Sequence, residues 1–166
     1  KDEGKTAFRR AAELMHDAGG KAGITLSDPF CTERHRGDFK ALIANEMDVT
    51  IGNEAEWTTL YETDLDTALT EAAKVCRTVV CTRSGNPVVI ITDGTRNEVP
   101  VERVVPVDAT GAGDQFAAGF LYGYVTGKDP ETCGKMGVAA AAEVIGHIGP
   151  RPEIDMMDRF RELGLI

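Results

Sequence analysis

Apolar residues recur along this chain in two rhythms that take turns. Between residues 5 and 18, Phe8, Ala11, Ala12, Leu14 and Met15 fall at helical spacing, and the run stops at Gly19-Gly20, a pair suited to a left-handed helix cap. Ala22 to Leu26 then reads as a short buried strand, Asp38 to Met47 as a helix, and Asp48 to Ile51 as a second strand ahead of Gly52-Asn53. Leu65, Ala68, Leu69, Ala72, Ala73 and Cys76 form a helical stripe with Asp64 placed as its N-cap, and Val79 to Thr82 follows as the next strand. Ser84-Gly85-Asn86-Pro87 and Asp93-Gly94 are turn sequences. With Val88 to Ile91 between them and Glu98 to Val105 after them, they predict a small antiparallel meander. Phe116 to Val125 and Pro130 to Ile145 read as two helices. Their small residues, Ala117 to Gly119, Gly123 and Ala139 to Ala142, permit close approach, and Arg151 to Leu163 reads as a final surface helix.

Strands alternating with helices predict an α/β architecture: a mostly parallel sheet flanked by helices on both faces, with the small antiparallel meander inserted. Ligands of such sheets bind beyond the carboxyl ends of the strands, where Asn53 and the Thr82 to Gly85 turn fall. No repeat, low-complexity tract or linker interrupts the pattern, so residues 1–166 are expected to form a single α/β domain.

Composition narrows the class. With 27 acidic against 18 basic residues the formal charge is -9, which argues against nucleic acid or an anionic membrane as partner, since both reward a basic face. No apolar run approaches the roughly 20 residues that span a bilayer, and the charged opening has no signal-peptide core. Cys31, Cys76, Cys81 and Cys133 lack CxxC spacing, and His16, His35 and His147 supply no matching metal pattern. Free thiols in a reducing cytoplasm are the expectation.

The chemistry concentrates in Val107-Asp-Ala-Thr-Gly-Ala-Gly-Asp-Gln-Phe116. Gly111 and Gly113 are expected to take backbone angles closed to other residues, letting consecutive N–H groups converge at the positive end of the following helix, where a phosphate is favoured. Asp114 falls in that helix's first turn, in reach of a hydroxyl held beside the anion. A P-loop GxxxxGK[ST] is absent, and the run lacks the third glycine of a dinucleotide fingerprint.

DATGAGDxFxxGF closely resembles the second signature of the PfkB family of carbohydrate and nucleoside kinases, whose fold is ribokinase-like. The resemblance implies that Asp114 is the base that activates the acceptor hydroxyl and so also touches substrate. It implies that the Gly111, Ala112 and Gly113 amides form the anion hole, and that Asp108 and Thr110 are positions for a monovalent cation such as potassium. Asn53-Glu-Ala-Glu56 resembles the family's NxxE motif, with Asn53 near the nucleotide phosphates and Glu56 holding magnesium through water. Taken alone, the same four residues are an ordinary helix start with Asn53 as N-cap. Thr82, Ser84 and Gly85 resemble the post-strand nucleotide loop, although Ser84 stands where many relatives have glycine. Ala139 to Gly149 resembles the helix and turn bordering adenine, which places Ala142 and Gly149 near the nucleotide; helix packing and a chain turn are the plainer reading.

Leu26-Ser-Asp-Pro-Phe30 and Gly52-Asn-Glu-Ala-Glu56 are similar to segments of adenosine kinases within this family. A loop phenylalanine, Phe30, would either pack on a nucleobase or plug a core edge. The implied activity is ATP- and magnesium-dependent phosphorylation of the 5′-hydroxyl of adenosine; the alternatives are a sugar acceptor or a noncatalytic nucleotide-binding role. The resemblance covers the chain but only the later half of the family's usual length. The remaining partner is therefore expected to be an N-terminal half of the same protein, with the small lid and most acceptor contacts.

Overall fold

Local signals for strand and helix are obeyed nearly everywhere in the computed structural model, which describes residues 2–101 and 103–166. Helix α1 (Asp2–Asp17) ends where Gly19 takes φ +74, and strand β1 (Gly23–Thr25) follows. Two helices come next, α2 (Pro29–Arg34) and α3 (Arg36–Asn45), then β2 (Val49–Asn53), α4 (Glu54–Tyr61), α5 (Leu65–Ala73) and β3 (Thr78–Arg83). Strands β4 (Asn86–Thr92) and β5 (Thr95–Val99) form the meander, and α6 (Ala112–Val125), α7 (Pro130–Val144) and α8 (Met156–Glu162) close the chain. The strands make one mixed sheet in the order β1-β2-β3-β4-β5, flanked by helices. β1, β2 and β3 are parallel, with Ile24 opposite Thr50 and Thr50 opposite Val79. Each parallel step is crossed by helices, as a parallel pair requires.

Three expectations need correction. Pro29 and Phe30 do not lie in a loop: Pro29 opens α2 behind Asp28, whose side chain caps Cys31 N, and proline with a capping aspartate is itself a helix-start signal. The strand expected from Glu98 to Val105 ends at Val99, ahead of Pro100, which has no N–H for a ladder; Glu102 lies outside the described residues. The last helix begins at Met156 rather than Arg151, because Asp155 caps Met157 N and Asp158 N.

The chain divides into two compact units, residues 1–83 with 91–96, and residues 84–90 with 97–166. In the first, Leu26, Ile43, Val49, Trp57, Leu60, Leu69, Val79 and Val80 are fully buried, and the Trp57 indole donates to Val80 O at 3.0 Å. Ala12 of α1 is buried, packed with Ala22, Leu42 and Met47, while Phe8, Leu14 and Met15 stay exposed. In the second, α6 and α7 pack backbone to backbone. A Cβ added at Gly119 would lie 2.5 Å from Met136 O, and one at Gly137 would lie 2.8 Å from the Phe116 ring.

This contact makes a testable demand. Alanine is the better helix former by about 1 kcal/mol, so Gly119→Ala would stabilise an uncrowded helix. Here the new methyl meets a carbonyl that cannot swing away, and overpacking costs about 1–3 kcal/mol. Gly119→Ala is therefore expected to lower the urea midpoint; an unchanged or raised midpoint would mean α6 and α7 can part without cost.

Candidate active site

The second unit builds the glycine loop from three carboxylate hydrogen bonds. Asp108 Oδ1 accepts from Thr110 N at 2.9 Å and from Thr110 Oγ1 at 2.7 Å, closing a tight local turn, while Oδ2 accepts from Gly149 N at 3.1 Å. These bonds hold the Asp108 carboxyl below its ordinary range, the Thr110 hydroxyl contributing most, then the Thr110 and Gly149 amides. Asp108, Thr110 and Gly149 are thus brought together. Pro150 continues the contact: its Cβ occupies the space that a side chain on Gly111 would need, 2.5 Å away, and its carbonyl accepts from Gln115 Nε2 at 3.1 Å.

Gly111 is the N-cap of α6 with φ 80 and ψ -1, a left-handed conformation, and no side chain caps this helix. Gly113 does not share that conformation. It lies inside α6, so the conformational demand expected at both glycines falls on Gly111 alone. What Gly113 offers is room, since nothing lies within 4 Å of where its Cβ would be. Ala112 N donates to Ala109 O at 3.2 Å and is already engaged. Asp114 stands exposed in the first turn, and its carboxylate makes no hydrogen bond or ion pair among the described residues. A first-turn carboxylate beside open backbone can accept a proton from a hydroxyl brought to it.

Ala142 lies on α7 and lines a groove of 810 Å³ together with Pro100, Val104, Ala139, Ile154 and Leu163. Gly149, with φ +105, forms the turn after α7 and is not in that lining. Ser84 takes φ +53, which explains the fitness of glycine there, and Gly85 follows it in the β3–β4 turn.

In the first unit Asn53 ends β2 and Glu56 sits in the first turn of α4, and the two form a full capping box. Glu56 N donates to Asn53 Oδ1 at 2.9 Å and Asn53 N to Glu56 Oε2 at 2.8 Å; Asn53 Nδ2 adds a bond to Glu56 Oε1 at 2.6 Å. Glu56 is nonetheless 5% exposed. Burial pushes its carboxyl above the ordinary range, the bond from Asn53 N working against this and the charge of Asp28 with it. Gly52 leaves space for that side chain, since a Cβ there would lie 3.1 Å from Glu56 Oε2. Thr82 is half-buried near the end of β3. Phe30 is 71% exposed on α2, so it does not plug a core edge. Arg36 is committed to Thr59 O and Glu62, which makes it a structural tie.

All four cysteines are free, and Cys76, Cys81 and Cys133 are buried; burial pushes the Cys81 thiol to about 12 and that of Cys133 to about 11, so neither is a nucleophile at neutral pH. No helix among the described residues is long and apolar enough to cross a membrane. Sequence reasoning missed one cluster, Glu143 with His147 and Glu153. The i,i+4 spacing of Glu143 and His147 is its one local signal.

Residues 5–156 match the model of the pfkB family of carbohydrate kinases. A probable sugar kinase from Rhizobium etli is 41% identical, with a TM-score of 0.94 over 98% of this chain and 50% of its own. An adenosine kinase from Sinorhizobium meliloti is 40% identical, with a TM-score of 0.91 over 95% of this chain and 49% of its own. An uncharacterized sugar kinase of Archaeoglobus fulgidus is 39% identical over 72% of this chain and 48% of its own length. The chain thus spans about half the length of the relatives it matches.

The Asp108 clasp carries a pH signature. Its folded value lies below the unfolded one of about 3.9, so its stabilisation is complete above that pH and lost as pH falls through the folded value. Asp108→Asn is expected to lower the urea midpoint near neutrality, with the gap to wild type closing as the solution is acidified below about pH 4. A gap that stays constant with pH would show that the carboxylate charge contributes nothing to the loop.

Proposed function

This chain belongs to the PfkB carbohydrate kinase family, and from that premise we propose that it serves ATP-dependent phosphoryl transfer to the 5′-hydroxyl of adenosine, giving AMP and ADP. The observation that carries the proposal is Asp114, an exposed carboxylate that makes no hydrogen bond or ion pair among the described residues, in the first turn of an uncapped helix and beside open space at Gly113. Transfer is direct and in line. Asp114 takes the hydroxyl proton as the new P–O bond forms and the bond from the γ-phosphorus to the oxygen that leaves with ADP breaks, and the amides from Gly111 to Gly113 face the charge on the moving group, with Ala112 N exchanging Ala109 O for phosphate oxygen. No covalent intermediate on the protein is needed. The family's nucleotide motifs are matched by Ser84, Gly85, Ala142 and Gly149 within the second unit and, separately, by Asn53 and Thr82 within the first.

Magnesium suits Glu56. The carboxylate accepts two bonds from Asn53, and of its roughly four lone-pair sites the remainder can accept from metal-bound water. Burial and the nearby Asp28 both penalise its charge, and a divalent cation would offset both. Bound there, the metal would neutralise charge on the β and γ oxygens of ATP. Asp108 already accepts three bonds, which leaves about one lone-pair site for a monovalent cation such as potassium shared with Thr110.

Adenosine is favoured as acceptor by Phe30, whose exposed ring at the start of α2 is available to a flat base that free ribose lacks. A sugar acceptor is the second reading, supported by the 41% identical probable sugar kinase. A noncatalytic nucleotide-binding role is the third, since the chain spans half of its relatives.

In the complete protein, Asp114→Asn is expected to keep nucleotide affinity and lower turnover by about 10²–10⁴-fold, the scale of a general base. Wild-type turnover by the folded variant would remove Asp114 from the chemistry. Phosphorylation of adenosine, other nucleosides, ribose and fructose, followed by product analysis, decides the acceptor. Phe30→Ala should weaken adenosine binding by about 1–3 kcal/mol if the ring stacks on the base. Preference for a free sugar would overturn the adenosine assignment.

A further inference from the structure

The half-buried cluster at the end of α7 stands outside the chemistry proposed above. His147 Nε2 lies 3.3 Å from Glu143 Oε1, one helical turn back, and its Nδ1 lies 3.8 Å from Glu153 Oε1; the Glu143 and His147 side chains are only 11% and 16% exposed. Glu143 Oε2 and His147 Nε2 are buried without a hydrogen bond among the described residues, so charge attraction is what His147 offers the buried carboxylate. Glu143 Oε1 also accepts Glu153 N at 2.9 Å, making this carboxylate the pivot between α7 and the turn that follows. That turn carries both groups that shape the glycine loop. Gly149 N holds Asp108 Oδ2, and Pro150 packs on Gly111 and accepts from Gln115.

We propose that His147 is a positioning residue: as an imidazolium it fastens the 146–153 turn to Glu143 and thereby keeps Gly149 and Pro150 against the glycine loop, so that the order of this loop depends on pH. The proposal deepens the phosphate-site reading of the loop and takes its functional meaning from it. The charged groups around the ring are Glu143 on α7, Glu153 on the turn, and Asp108, whose own carboxyl is further lowered by His147. Desolvation works against the imidazolium, but the Ile148 carbonyl, Glu143 and Glu153 outweigh it, and the folded value is raised. A raised histidine stabilises fully below its unfolded value of about 6.5, and that stabilisation is lost as pH rises through the folded value.

The test uses hydrogen exchange resolved by NMR on the complete protein, with each rate divided by the intrinsic rate at that pH. Protection of the Thr110 and Gly149 amides is expected to fall as the His147 ring loses its proton, by about tenfold for each unit by which its value exceeds the unfolded one. In His147→Gln, protection should be low and independent of pH over the same range, and Glu143→Gln should lower the ring's midpoint. The proposal is overturned if wild-type protection is flat across the ring's own titration, a result that needs no variant to fold, or if His147→Gln keeps the low-pH protection of wild type. Because no substrate is involved, a protein that phosphorylates nothing yet shows this coupling would sink only the kinase reading.

Discussion

The backbone contact between α6 and α7 is the constraint on which the second unit depends. These helices have 14 and 15 residues, about 21 and 22 Å long, and they are joined by a short turn. Two antiparallel rods of matched length, pressed together at Gly119 and Gly137, must bring the start of one beside the end of the other. That is why residues 107–114 meet 143–150. Val107 N donates to Ile145 O at 2.8 Å, and the Asp108 carboxylate then fixes Gly149. A side chain at either glycine would separate the helices and dissolve the meeting point.

Three carboxylates show how surroundings divide labour among chemically equal groups. Asp108 accepts three donors and serves as a structural clasp. Asp114, six residues later, has none among the described residues. Glu56 is buried and bonded to Asn53, and burial raises its carboxyl, so its ionised form costs stability unless a cation balances it. The motif NxxE is therefore both a capping box and a candidate metal holder, and neither reading displaces the other. A helix cap needs its oxygens on one side only.

Much of the fold was legible in the chain. The alternation of buried runs with helical stripes gave β1 to β3 and α1, α3, α5, α6 and α7 to within a few residues, because each has a period that burial alone imposes. Signals carried by one or two residues are harder to read: Pro29 behind Asp28, Pro100 after Val99, and Asp155 before Met156 set the boundaries of α2, β5 and α8. A single cap or breaker decides an end without leaving any periodic trace.

The candidate site divides in the same way. The sequence by itself determined that a glycine turn would lead into a helix with Asp114 in its first turn, since left-handed glycine conformations and first-turn acids are local preferences. It could not say which glycine bears the unusual backbone, that Ala112 N would be occupied, or that Pro150 and Gly149 would brace the loop from about 40 residues away. Nor could it place His147 between Glu143 and Glu153, or give Asp108 three donors. These outcomes depend on distances between segments remote in sequence. Such distances exist only after the helices have packed, because backbone donors and side-chain charges select partners by geometry and carry no mark of them in the order of residues.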